Sequence, residues 1–570
     1  MPAAPPPKKK PPRPRIPQKT SRPGAAANPR SRGNSAELSQ RTHLRWAPSL
    51  VLGGAVTAML AVALVRDPSP VTSNSVQPAK LADASPDTSD RIRSISATEA
   101  IRATPEEAWR SFTAAPWNHP RIPPVAFAGC PSPEAATPGT PAILITPNGS
   151  AADSDSIQQA IDRARTGDLI RLGPGRFVLD KPLIIRRHGI SLIGSGSSLT
   201  TLHLAKSLAE IRGPSPTWSW SGGWIDVSPP TRSTARPDAI AWVDAVAHEG
   251  DRVIALAGPG ITGRQFAAGQ DIVLDWSGDR SLAEHVGMPP DDWVKWDLVA
   301  DGQIRIRLTN RILRVDGDRA WLAKPLRLPI RAPWRVVVEP ASMLVQDVAI
   351  GGFRMTTARS HWPGHLKDEG WNGIALDQCL RARVMDVAFV NVDNGIFLRG
   401  SHHATIAKTS FEGGPSHHAI NLSGGASDNL ITEFTIRNPV YHGISVQDLA
   451  SGNVFRRGTM AHGTFDSHRG MPFDTVRTDI DLHNDGRPGG SSRAGPFAGR
   501  RTVHWNVRYT AATKAKQPGR WVDDPRPYPF GLFSDVVPVD RSARRPERGS
   551  MPDLFTLQSQ HLLPPKEHLP

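Results

Sequence analysis

The chain has 570 residues, 38% of them hydrophobic, and a formal charge of +15. Residues 1–45 carry eleven Lys/Arg against one acid, Glu37, so this flank holds +10 and about +5 is left for the remaining 525 residues. The basic charge is thus a property of one end, which argues against a nucleic-acid-binding body, and two cysteines, Cys130 and Cys379, are too few for a cysteine-based metal site.

In chain order, residues 1–45 are Pro-rich and poor in large apolar groups, which predicts a disordered basic tail. Residues 46–66 form the next unit. No charge interrupts residues 47–65, and Arg45 and Arg66 bracket them. Nineteen residues at ~1.5 Å each span ~28 Å, the thickness of a bilayer core. The basic flank predicts a single-pass membrane protein with a cytoplasmic N-terminus and a periplasmic or extracellular C-terminal part. Ala61-Val62-Ala63 leaves a cleaved signal peptide open, although the long flank favours an uncleaved anchor. Residues 67–96 are rich in Pro, Ser, Thr and Asp and read as a linker.

Residues 97–205 are expected to hold an N-terminal segment and the first coils of a stack. Ile157, Ala160, Ile161 and Ala164 have helical spacing behind the N-cap candidates Asp153 and Ser154. Short strands follow at 169–172, 177–179, 183–185 and 190–193, each closed by a turn signal. A helix capping the open end of a solenoid explains that order. Residues 206–340 contain nine of the sixteen tryptophans and read as a β-rich insertion.

Residues 341–510 carry an internal repeat. Asn372-Gly373-Ile374-Ala375-Leu376 recurs as Asn394-Gly395-Ile396-Phe397-Leu398, His418-Ala419-Ile420-Asn421-Leu422 and His442-Gly443-Ile444-Ser445-Val446, in steps of 22, 24 and 24 residues. A second register starts at Asp386, Lys408, Glu433 and Arg457. Two registers advancing together predict an all-β, right-handed parallel β-helix. The Leu-x-x-Leu-x-Leu skeleton of a leucine-rich repeat is absent. Residues 511–570 read as a Pro-rich C-terminal tail.

Gly167-Asp168-Leu169-Ile170-Arg171-Leu172-Gly173-Pro174-Gly175-Arg176-Phe177, behind the predicted capping helix, resembles the entry coil of the pectate-lyase superfamily. The resemblance spans roughly residues 150–205 and 340–510 and implies a polysaccharide partner. Three coils also resemble the polygalacturonase pattern at Asp393-Asn394-Gly395, His417-His418-Ala419 and Tyr441-His442-Gly443-Ile444-Ser445. The family's middle carboxylate pair is missing here, and an inverting hydrolase needs two carboxyls.

The expected chemistry is therefore a lyase acting by β-elimination on a uronic-acid-containing glycan. His418, His442 or His468 is the candidate base, Arg469 the carboxylate-binding cation, and Asp393 and Asp466 the orienting acids. His462 reads as continuing the His418–His442 column. Trp362, Trp371, His417 and Tyr441 are candidates for sugar contact. A glycoside hydrolase using Asp466 and Asp474, and a non-catalytic glycan-binding or envelope scaffold, remain open. No cofactor is expected; a divalent metal ion at the histidines stays open as a third reading, since the ligand spacing does not single one out. The other expected partner is lipid bilayer, at residues 47–65.

Overall fold

The computed structural model describes residues 105–117, 119, 122–130, 143–149, 151–230, 241–243, 245–258, 266–288, 303–511, 530–533 and 552–563. The apolar span at 47–65, its flank and the linker lie outside them. Among the described residues no helix is long and apolar enough to cross a membrane.

The protein is mostly β and its body is a parallel β-solenoid. One long face is a thirteen-stranded parallel sheet. The second face is a seven-stranded parallel sheet: β1 (Leu183–Ile185), β2 (Ile225–Val227), β3 (Asn372–Asp377), β4 (Asn394–Arg399), β5 (Ser416–Ser423), β6 (Val440–Val446) and β7 (Phe465–Ser467). A third ladder runs through Leu380, His402, Ser427, Ser451 and Phe473 as single bridges.

The repeated isoleucines explain the stacking. Ile225, Ile374, Ile396, Ile420, Ile444 and Phe465 are consecutive register partners from β2 to β7. All six are 3% exposed or less. Each such side chain contributes ~1.5–3 kcal/mol on burial, which pins the register coil by coil. The second sequence register marks a kink in the long sheet. Asp386, Lys408, Glu433 and Arg457 all have φ between 50° and 56°, and Asp479 and Asn506 continue the series into two further coils. The ladder skips each of these residues on both strands at once, so the kink repeats from coil to coil without breaking the register.

The helix Ser154–Arg163 buries Ile157, Ala160 and Ile161 in the solenoid core. Its N-cap position, Asp153, makes no side-chain cap. The carboxylate instead accepts the backbone N–H groups of Asn148 and Val178, both at 2.8 Å, and so ties the helix to the first coil.

The insertion is a closed six-stranded antiparallel barrel whose strands lie between Ala241 and Pro340. Residues 206–230 of the tryptophan-rich segment do not enter it. Strand β2 sits between β1 and β3, and Trp224 is fully buried in the solenoid core. The barrel's apolar cluster includes Met471 and Phe473 from the solenoid. Ion pairs from Lys324 to Asp428 (2.8 Å) and from Arg500 to Glu249 (2.7 Å) join the two bodies. The described part of the C-terminal tail also packs: Leu554 shares a cluster with Phe112, Val503 and Trp505. Cys130 and Cys379 form no disulfide.

Candidate functional site

Strands β5 to β7 and the loop 358–371 bring together His365, His417, His418, His442, His468, Asp368 and Asp466. Sheet alternation sets the outer surface. Where Ile420, Ile444 and Phe465 point inward, the next residues, Asn421, Ser445 and Asp466, are register partners on the opposite face.

Asp466 is fully buried and accepts hydrogen bonds from His468 Nδ1 at 2.5 Å and Ser445 Oγ at 2.8 Å. His442 Nδ1 lies 3.4 Å from its other oxygen. Burial favours the neutral acid, yet His468 and His442 hold the carboxyl well below the usual carboxylate range. The side chain of His468 is 24% exposed. Burial works against its charged form, but Asp466 outweighs this and raises the imidazole above its ordinary value. Asp448 faces the same region. Burial pushes its carboxyl up to about 6, against the pull of Arg399 and His468.

Hydrogen bonds set the histidine tautomers. Asn372 Nδ2 donates to the carbonyls of Trp218 (2.9 Å) and Ser221 (3.0 Å), so its Oδ1 accepts from Asn394 Nδ2 at 2.8 Å. Asn394 Oδ1 then takes the proton of His418 Nδ1 at 3.1 Å. His417 Nδ1 donates to Asp368 at 2.8 Å, and His442 Nδ1 donates to the Arg487 carbonyl at 2.9 Å. Each of these rings carries its proton on Nδ1 and leaves a lone pair on Nε2. Burial, with neighbouring rings adding, holds His418 well below the ordinary histidine value. His417 Nε2, His418 Nε2, Asn421 Nδ2 and Asp466 Oδ1 are buried with no hydrogen-bond partner. Such atoms are costly in a finished core, so each is a polar group that a bound molecule would satisfy.

The loop 358–371 is anchored from below. Asp393, fully buried, pairs with Arg359 Nη1 at 2.8 Å and accepts the backbone N–H of Trp371 at 3.0 Å. Trp362 Nε1 donates to Asp368 at 3.0 Å. His365 stacks on Tyr441 with ring centroids 4.1 Å apart and lies 3.2 Å from His442, Nε2 to Nε2.

The sequence candidates thus separate. His417, His418, His442, His468, Asp466, Tyr441 and Trp362 meet in one place. Trp371 is 6% exposed and belongs to the core. Asp393 holds the loop. Arg469 donates through Nε to the Gly490 carbonyl at 3.0 Å and supports the neighbouring segment. His462 is not in the column, because Ile444 pairs with Phe465 and His462 falls one residue short of the place opposite His442, and its ring lies instead beside Asp485. Asp474 is fully buried and bound to Arg501 at 2.7 and 2.8 Å, so it cannot face a substrate.

Sequence reasoning passed over Asn421 and Ser445 as site residues. The signal was present: the fourth repeat position changes from Ala375 and Phe397 to Asn421 and Ser445. His365 and Asp368 stand out in the sequence only as polar neighbours of Trp362 and Trp371 in a long insertion between coils, and no repeat position aligns them with the histidine column. A separate crevice, lined by Trp117, Phe127, Lys324 and Asp428, contains none of these histidines.

No family model and no curated protein matches the chain. Among solved structures, the tailspike protein gp49 from Pseudomonas phage LKA1 is similar at 12% identity and TM-score 0.35, over 63% of this chain and 57% of that one. An alginate lyase from Paenibacillus sp. str. FPU-7 is similar at 10% identity and TM-score 0.30, over 65% of this chain and 92% of that one. An exopolygalacturonase from Thermotoga maritima is similar at 10% identity and TM-score 0.27, over 66% and 70%. The chain thus spans little more than half of the tailspike's length, and the likeness is one of fold.

Proposed function

We propose that this chain is a membrane-anchored, outward-facing lyase that cleaves a uronic-acid-containing polysaccharide by β-elimination. The observation that carries the reading is the pair formed by buried Asp466 and partly exposed His468 at 2.5 Å on the outer face of the stack. On this reading His468 Nε2 takes the C5 proton, and Asp466 stabilises the imidazolium that forms. The C–H electron pair becomes the C4=C5 double bond, the C4–O bond breaks, and Tyr441 protonates the departing oxygen. The Asn421 amide, a buried unpartnered donor, steadies charge on the sugar carboxylate, a role in which it replaces Arg469.

Two carboxyl groups flanking the bond would favour hydrolysis. Asp466 and Asp368 are instead bound to histidines, and Asp474 is enclosed by arginines. The anchor and the outward orientation rest on the charge-free residues 47–65 and their basic flank. The test is incubation with a panel of uronate polysaccharides. Products should absorb in the ultraviolet and carry no added water. Saturated fragments containing added water would replace this reading by hydrolysis, and glycan retention without fragments would replace it by a binding role.

A further inference from the structure

We propose that His365, His417 and His442 hold a divalent transition-metal ion through their Nε2 atoms. One donor atom from each residue lies within 4.8 Å of the others. The Nε2 atoms of His365 and His442 are already 3.2 Å apart. Two nitrogens bound tetrahedrally at ~2.0–2.1 Å sit ~3.3 Å from each other, so this pair already has the spacing of two ligands, and binding requires only that the proton His365 Nε2 donates to His442 be lost or moved to Nδ1. His417 belongs to the same group, and its Nε2 is buried with no partner.

A second observation is independent of that spacing. Metal-bound histidines donate their other N–H to a carboxylate or carbonyl. His417 Nδ1 does so to Asp368, itself held by Trp362, and His442 Nδ1 does so to the Arg487 carbonyl. His417 Nε2, on the far side of its ring, has no partner, and His442 Nε2 meets only His365 Nε2. The adjoining set of His418, His442, Asp466 and His468 shares His442, but its carboxylate is already bound to His468 and Ser445. Three neutral imidazoles suit zinc, cobalt or nickel rather than calcium or magnesium. The ion would tie the 358–371 loop to β5 and β6. Its remaining position would take water or, on the elimination reading, a uronate carboxylate oxygen.

Metal binding is tested without glycan, so its outcome is separate from that of the lyase reading. The full-length chain, purified in detergent and stripped with a chelator, is titrated with Co²⁺ and with Zn²⁺. One equivalent should bind, and Co²⁺ should give the visible absorption of a four-coordinate nitrogen site. His365→Ala, on a half-buried loop, should lose that absorption while melting as a folded protein. Asp368→Asn should keep the site but weaken affinity by about 10–100-fold. Absence of stoichiometric Co²⁺ and Zn²⁺ binding in the parent would overturn the proposal. So would a folded His365→Ala chain that binds Co²⁺ as the parent does.

Discussion

Asp466→Asn is the sharpest perturbation of the proposed chemistry. One carboxylate oxygen accepts both His468 Nδ1–H at 2.5 Å and Ser445 O–H at 2.8 Å, while the other lies 3.4 Å from His442 Nδ1–H. An asparagine has one acceptor and one donor end. If its oxygen keeps His468, its NH₂ meets the protonated nitrogen of His442. If it turns round, the NH₂ meets His468 and selects the wrong tautomer for a base acting at Nε2. The substitution also removes the charge that stabilises the imidazolium. Together these should lower kcat by roughly 10²–10⁴, or about 2.7–5.4 kcal/mol of barrier. Initial rates are read as ultraviolet absorbance of the unsaturated product. In the parent, the base is held above the ordinary histidine value, so kcat/KM should keep rising above pH 6.5. In Asp466→Asn that limb should move to lower pH. A folded variant with the parental rate and an unchanged pH limb would refute the assignment of His468 as base.

Three further outcomes are expected. Burial first, with nearby cations adding, holds His402 and His403 neutral down to about 3, whereas the unfolded chain takes up protons near 6.5. Stability should therefore fall as pH drops from about 6.5 toward 3, and a flat urea midpoint between pH 7 and 4.5 would contradict it. His468 has the opposite sign, its contribution being full below about 6.5 and fading as pH rises through its raised value, whereas that of Asp466, held low, is lost as pH falls below the ordinary carboxylate range. Ile420→Ala opens a void in the β4–β6 ladder and should cost about 2–5 kcal/mol, measured by denaturant unfolding. A reporter fused after Pro570 should work only if it tolerates the external compartment, whereas a mature N-terminus near Leu64 would remove the anchor but not the export.

The sequence alone determined the stack. A period of 22–24 residues with Ile374, Ile396, Ile420 and Ile444 at one position leaves a parallel ladder as the way to bury them together. It also put His418 and His442 on adjacent coils, where their rings stack at 4.8 Å although the bulged register pairs His418 with Gly443. Local spacing could not decide which polar residues of the ladder converge. His365 and Asp368 arrive from a loop whose course is set by Asp393 and Arg359, groups distant in sequence and joined only by folding. His462 looked equivalent to His442, yet Ile444 pairs with Phe465 and His462 falls one residue short of the place opposite His442. Arg469 and Asp474 carry the charge the chemistry asks for, but the tertiary structure spends them on the Gly490 carbonyl and on Arg501. The physical reason is common to all four cases. Periodicity reports burial, which is local and repeated, whereas a site is made by long-range hydrogen bonds and ion pairs that leave no period in the chain.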